Sequence, residues 1–167
     1  MDPSLFKPFI ASIQNVFSTM LQLPVTVNPP RVKQSPTASY DVSGIIGMTG
    51  DVSGSVVLSF PQQTAERIVA LFCGQQVQCG TPDFADAVGE LVNMVSGNAK
   101  ALMAGRKVSI SCPSVVIGPS HTLANQSDVP CIVIPCVTDC GELAIEIAIQ
   151  AKAAPAAQPA PATAAQA

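Results

Sequence analysis

The feature that most constrains this chain is a pair of strand-like segments joined by a turn sequence. Residues 40–48 and 51–60 are rich in Val, Ile and Ser, and Thr49-Gly50-Asp51 joins them. A Gly-Asp turn between two such runs favours a tight connection, so we predict a β-hairpin. Residues 142–149 alternate apolar and other side chains with a period of two, which predicts another strand. Shorter strands are expected over 25–27, 108–116 and 131–137, with Pro135 at an edge or bulge.

Three segments have the apolar spacing of amphipathic helices. The first covers residues 8–21, with Pro8 in its first turn, and the second runs from Pro61 to Phe72 and ends before Gly74. The third follows a Thr81-Pro82 cap and runs to residue 104, next to Gly105. The order of helices and strands predicts an α+β fold, in which two or three α-helices pack on one face of an antiparallel β-sheet.

Length and composition indicate one domain followed by a tail. The chain has 167 residues, of which 48% are hydrophobic and 11% charged, so it can bury a sizeable core and is not globally disordered. We assign the folded domain to residues 1–150. Residues 151–167 consist of Ala, Pro, Gln and Thr with a single Lys, so we predict a disordered Ala/Pro-rich tail there.

The charge pattern excludes two classes of partner. The formal net charge is −3, basic residues form no run, and aromatic residues make up only 4% of the chain. Nucleic acids and anionic membranes require basic surfaces, and single-stranded nucleic acids also require aromatic platforms. No apolar stretch approaches the roughly 20 residues of a membrane helix. The first residues include an acid where a secretory signal has basic ones, so we predict a cytoplasmic protein.

The cysteines do not predict a metal site. A cytoplasmic location favours reduced thiols, and none of the six cysteines forms a C-x-x-C motif. His121 is the only histidine, which leaves zinc without its usual ligand set. We therefore expect small buried apolar thiols, no bound metal, and a histidine that is an ordinary loop residue.

One face of the third helix carries most of the functional information. At about 100° per residue, Asp86, Glu90, Asn93 and Gly97 form one polar line within about 40° of Asp86. The opposite face is an apolar stripe that we expect to be buried, comprising Phe84, Val88, Leu91, Val95, Ala99 and Leu102. Two other polar residues of this helix are less informative: Lys100 is expected to aid solubility, and Asn98, at the boundary of the buried face, to form a helix-packing hydrogen bond.

A polar line is usually just a solvated face, and three features argue against that interpretation here. Asp86 and Glu90 are like charges four residues apart, which destabilises a helix by about 0.2–0.5 kcal/mol. Gly89 and Gly97 each cost up to about 1 kcal/mol relative to Ala. Asn93 is a poor choice for a plain helix surface. The residues alone leave the solvated face and a docking face about equally supported.

The same residues resemble a known family. Asp86-x-x-x-Glu90-x-x-Asn93, continuing Met-Val-Ser-Gly-Asn-Ala-Lys to Lys100, resembles the signature helix of the CheX/CheC/FliY family of chemotaxis phosphatases. The glycine-punctuated hairpin over residues 47–58 resembles the strand pair of that family, and the likeness extends over about residues 5–150. The helix and the hairpin together, in this order, are more specific than a bare E-x-x-N.

The resemblance implies hydrolysis of the aspartyl phosphate on a phosphorylated CheY-like response regulator. Asn93 would orient the attacking water and Glu90 would pair with the active-site lysine of the regulator, so both are the expected catalytic residues. Asp86 and Gly97 would have supporting or docking roles. The chain itself would bind no cofactor, and Mg²⁺ would be held by the partner regulator.

Within the family, this chain resembles the CheX-like members with a single site. Its first helix contains Asn15 but no glutamate, so a second E-x-x-N centre is not expected. CheX-like proteins are typically homodimers joined through the sheet, which is therefore the expected state. The alternative function is a binding module that docks on a regulator or flagellar component without hydrolysis, and a purely structural domain is the third.

Overall fold

The structure, a computed structural model, describes residues 2–124 and 128–152. It contains three helices: α1 (Pro3–Leu21), α2 (Gln62–Cys73) and α3 (Pro82–Ala101). Its eight strands are β1 (Thr26–Val27), β2 (Arg31–Val32), β3 (Val42–Gly50), β4 (Val52–Phe60), β5 (Val108–Ile110), β6 (Ser114–Ile117), β7 (Ile132–Thr138) and β8 (Gly141–Ala151).

All strands belong to one antiparallel sheet, which confirms the predicted fold class. The strand order is β1-β7-β8-β4-β3-β5, with β2 also paired to β7 and β6 also paired to β3. The predicted hairpin is formed by β3 and β4, which pair from Val42↔Phe60 to Met48↔Gly54. Gly50 has a φ of 108°, which a residue with a side chain rarely adopts, so the turn depends on this glycine.

The three helices share one apolar core with one face of the sheet. Leu143, Ile145, Ile147 and Ile149 of β8 belong to the same buried cluster as the apolar faces of the helices. Ser12 of α1 donates a hydrogen bond of 2.6 Å from Oγ to the Val95 carbonyl oxygen of α3, which ties these two helices together.

The other face of the sheet is more covered than the alternation in β8 predicts. Glu146 points away from the helices, yet it is only 2% exposed. Its carboxylate forms an ion pair with Lys33 and accepts a hydrogen bond of 2.8 Å from the Ser39 backbone nitrogen. Because a buried carboxylate requires such partners, the segment from Lys33 to Ser39 is fastened across the sheet.

Several element boundaries differ from the sequence predictions. The first helix begins at Pro3, where the Asp2 side chain accepts a hydrogen bond from the Ser4 backbone nitrogen, so Pro8 lies inside the helix. The strand predicted over residues 108–116 is interrupted between β5 and β6, because Pro113 cannot donate a backbone hydrogen bond. The third helix ends at Ala101, and Leu102, predicted to be buried, is 50% exposed.

Pro135, expected at an edge or bulge, lies inside the continuous strand β7, at the gap between the two short strands on its outer side. Its carbonyl oxygen accepts a hydrogen bond from the Asn28 backbone nitrogen, between the short strands β1 and β2 that pair with β7. The missing N–H of the proline therefore faces the point where the segment between β1 and β2 leaves the sheet.

The last described residues belong to β8 and the position that follows it. β8 continues to Ala151, and the Lys152 backbone nitrogen donates to the Asp51 carbonyl oxygen. The remainder of the predicted tail, residues 153–167, lies outside the described residues. Among the helices of the described chain, none is both long and apolar enough to cross a membrane.

Candidate functional site

The helix α3 is held in a defined rotation by its cap and its apolar face. The Thr81 hydroxyl accepts a hydrogen bond of 3.3 Å from the Phe84 backbone nitrogen, and Pro82 occupies the first turn. Beneath the helix, a Cβ on Gly44 of β3 would meet Val92 at 3.1 Å, so the glycine allows a close helix–sheet approach. The buried residues of the helix are Phe84, Ala87, Val88, Gly89, Leu91, Val92, Val95, Ser96 and Ala99.

The four residues of the polar line lie on the outer side of α3, as the spacing predicts. Asp86 and Glu90 are exposed, whereas Asn93 and Gly97 are half-buried. Asn93 is thus less exposed than expected. On a helical wheel with Asp86 at 0°, Asn93 lies near 340°, about 40° from Gly89. The segment between β5 and β6 packs against Gly89. The structure therefore places the acid and the amide side by side on one accessible ridge.

The carboxylates of this ridge have no cationic partner among the residues that the structure describes. Within residues 2–124 and 128–152, the Lys33–Glu146 contact is the only ion pair, and it lies on the other face of the sheet. Asp86 and Glu90 are therefore available to a partner, and their mutual repulsion is not compensated by a neighbouring Lys or Arg.

A groove runs alongside the ridge. It has a volume of about 440 Å³, and its lining residues are Ala85, Asp86, Gly89, Glu90, Pro113 and Val115. A Cβ on Gly89 would lie 3.3 Å from Pro113 Cγ and 3.7 Å from Val115 Cγ2. The absence of a side chain at Gly89 thus creates the floor of this groove, a role that the helix spacing did not reveal.

The described cysteines are not gathered into a cluster that could hold a metal ion. No group of three or more possible metal ligands occurs among the described His, Cys, Asp and Glu residues. Burial raises the pKa of Cys131 to about 11 and that of Cys136 to about 12, which keeps both thiols protonated at neutral pH. Cys73 and Cys112 are exposed, so the prediction of buried thiols is wrong for these two.

Two polar residues differ from their predicted roles. His121 is a fixed bridge: Nδ1 lies 2.8 Å from the Gly118 carbonyl oxygen and Nε2 lies 2.8 Å from Ser43 Oγ. This contact pins the loop after β6 to β3. The side-chain oxygen of Asn98 is buried without a hydrogen-bond partner, so the expected packing bond is wrong.

Comparisons with known proteins agree on one family. A family model described as "Chemotaxis phosphatase CheX" matches residues 42–137. The CheY-P phosphatase CheX of Thermotoga maritima is 28% identical over 121 residues, which cover 71% of this chain and 78% of that protein. The crystal structure of the chemotaxis protein CheX from Desulfovibrio desulfuricans is 35% identical, covering 89% of this chain and 99% of that one with a TM-score of 0.80. The crystal structure of the chemotaxis protein CheX from Vibrio vulnificus is 34% identical. The match covers 87% of this chain and 99% of that chain, with a TM-score of 0.79.

Proposed function

Because the chain belongs to the CheX family of chemotaxis phosphatases, we propose that it hydrolyses the aspartyl phosphate of a CheY-like response regulator. One observation supports this most: Glu90 and Asn93 lie together on an accessible ridge that has no partner within the described chain. The Thermotoga maritima relative, whose name is CheY-P phosphatase CheX, supports the same class of substrate.

The proposed reaction requires only one contribution to the chemistry from this chain. An acyl phosphate is already activated, and the Mg²⁺ expected in the regulator would neutralise charge on its oxygens. What remains is to hold one water in line with the phosphorus, which is catalysis by positioning. The Asn93 amide can do this because it donates and accepts hydrogen bonds, and Glu90 would fix the docked position by pairing with the active-site lysine of the regulator.

The shape of α3 supports its insertion into a partner. Gly97 follows Asn93 by one turn, and a Cβ placed there would meet nothing within 4 Å. In the free protein, this glycine fulfils no packing requirement and destabilises the helix. We assign it the role of admitting the regulator's backbone close to Asn93, and Asp86 the role of a second docking charge.

The proposal is tested by phosphate release from a CheY-type receiver that has been charged with an acyl phosphate. We expect catalytic amounts of this protein to accelerate release above the intrinsic rate of the receiver. A panel of receivers from the same genome should be used, because the sequence does not specify the partner. Binding without acceleration across the whole panel would favour the adaptor function instead.

Gly97→Ala should separate folding from docking. The substitution replaces glycine in a helix without a steric clash, so we expect the free energy of unfolding to rise by up to about 1 kcal/mol. We also expect weaker receiver binding, because the added methyl occupies the surface of closest approach. Urea unfolding and titration with the receiver measure the two effects. Unchanged affinity in the stabilised variant would contradict the docking role of Gly97.

We further propose that the protein is a cytoplasmic homodimer joined through a sheet edge. Among the described residues, β1 and β2 pair with only four of the seven residues of β7, so part of this sheet edge has no strand partner. Unpaired strand edges favour association with another chain. Light scattering during size-exclusion chromatography would give the mass, and a monomer at micromolar concentration would contradict the proposal.

A further inference from the structure

The groove beside α3 has two chemically different walls. One wall is the helix, which contributes Asp86 and Glu90, and the other is apolar and consists of Pro113 and Val115. No Lys or Arg is among the residues that line the groove. A long basic side chain combines an aliphatic stem with a cationic end, so it matches both walls at once.

The apolar wall is held in a fixed position. Between β5 and β6, the Ser111 backbone nitrogen donates a hydrogen bond of 2.9 Å to the Gly47 carbonyl oxygen. The Ser111 hydroxyl accepts one of 2.9 Å from the Gly47 nitrogen and donates one of 2.8 Å to the Cys112 carbonyl oxygen. These bonds anchor the segment to β3 immediately before Pro113 turns towards α3. The groove is therefore formed before any partner arrives, which reduces the entropy lost on binding.

The negative charge of the groove determines the kind of occupant. Asp86 and Glu90 repel each other across one turn of α3, and no cation of the described chain relieves this repulsion. Building on the proposed function, we propose that this groove receives a basic side chain from the surface of the response regulator, distinct from its active-site lysine. The cationic end pairs with Asp86, and the stem lies along Pro113 and Val115. Pro113 and Val115 then form the second wall of the docking surface and contribute to the choice of regulator.

Asp86→Asn tests the charged wall, with Asp83→Asn as its matched control. Both changes remove one exposed carboxylate from the same helix, but only Asp86 lines the groove. The probe is a receiver carrying beryllofluoride and Mg²⁺, titrated by calorimetry at low and high salt. We expect Asp86→Asn to raise the Kd for the receiver about three- to fivefold at low salt and to reduce the salt dependence of binding. Asp83→Asn should bind like the unaltered protein and retain its rate at saturating phosphorylated receiver.

Gly89→Ala tests the shape of the groove without changing its charge. The new methyl would lie 3.3 Å from Pro113 Cγ, so Pro113 must shift by a few tenths of an ångström and the groove becomes shallower. We expect weaker receiver binding by a fewfold, with circular dichroism confirming the fold.

The outcomes distinguish this inference from the proposed function. If the unaltered protein accelerates hydrolysis but Asp86→Asn and Gly89→Ala both bind the receiver normally, the groove is not occupied and the inference is overturned while the function stands. Equal losses of receiver affinity in Asp86→Asn and Asp83→Asn would indicate general electrostatic attraction, which also overturns the inference. Absence of both binding and hydrolysis across the receiver panel would overturn the two proposals together.

Discussion

Asn93→Ala is expected to abolish most of the acceleration of phosphate release while leaving the fold intact. Loss of a group that orients the reacting water lowers the rate by on the order of a hundredfold or more, because the water is no longer aligned for attack. Asn93 is half-buried and Ala is the better helix former, so the cost in stability should be small. Single-turnover phosphate release from a charged receiver measures the loss, and circular dichroism verifies the fold.

Two further variants make the Asn93 result specific. Asn93→Asp keeps the shape but removes the amide donor, so we expect it to be nearly as slow as Asn93→Ala. Asn98→Ala changes the same residue type on the same helix away from the polar line, and it should retain full activity. Receiver binding by Asn93→Ala should persist, since Glu90 remains. Retained hydrolysis in Asn93→Ala would remove the amide from the mechanism and support the adaptor alternative.

Leu91→Ala is expected to produce the largest loss of stability, about 2–5 kcal/mol in the free energy of unfolding. Leu91 is fully buried, and its truncation removes apolar contacts and leaves a cavity between α3 and the core. Denaturant titration followed by circular dichroism measures the change. Its matched control is Leu102→Ala, which removes the same atoms from a side chain that is 50% exposed and should change stability by no more than about 0.5 kcal/mol.

The pair of leucines also tests the rotation of α3. If Leu102→Ala proved as costly as Leu91→Ala, the end of the helix would have to continue into the core. A small effect of Leu91→Ala would mean that the polar line, and not the apolar stripe, faces the sheet. The second result would contradict the accessible position of Glu90 and Asn93 on which the proposed function depends.

The sequence was most informative where one local pattern decides the structure. Thr81 and Pro82 specify the start of α3, because a hydroxyl cap and an N-terminal proline act within a single turn. The 3.6-residue period alone places Asp86 and Glu90 opposite Leu91. Helix ends were less certain: Leu102 continues the apolar period, but the helix stops at Ala101, since the chain must turn towards β5. The roles of Glu90 and Asn93 are predictions from the family resemblance, because helix periodicity places a side chain but does not assign its chemistry.

By itself, the sequence determined the fold class, the hairpin and the exposed ridge of α3, because these follow from side-chain periods and turn residues that are local along the chain. Only the tertiary structure decided what lies across from those elements. Glu146 alternates like a solvent-facing residue but is buried by Lys33, more than a hundred residues away. Pro113 lies inside a segment predicted to be one strand, yet it forms a wall against Gly89. Both contacts join distant parts of the chain, and no local pattern encodes which distant residue will arrive there.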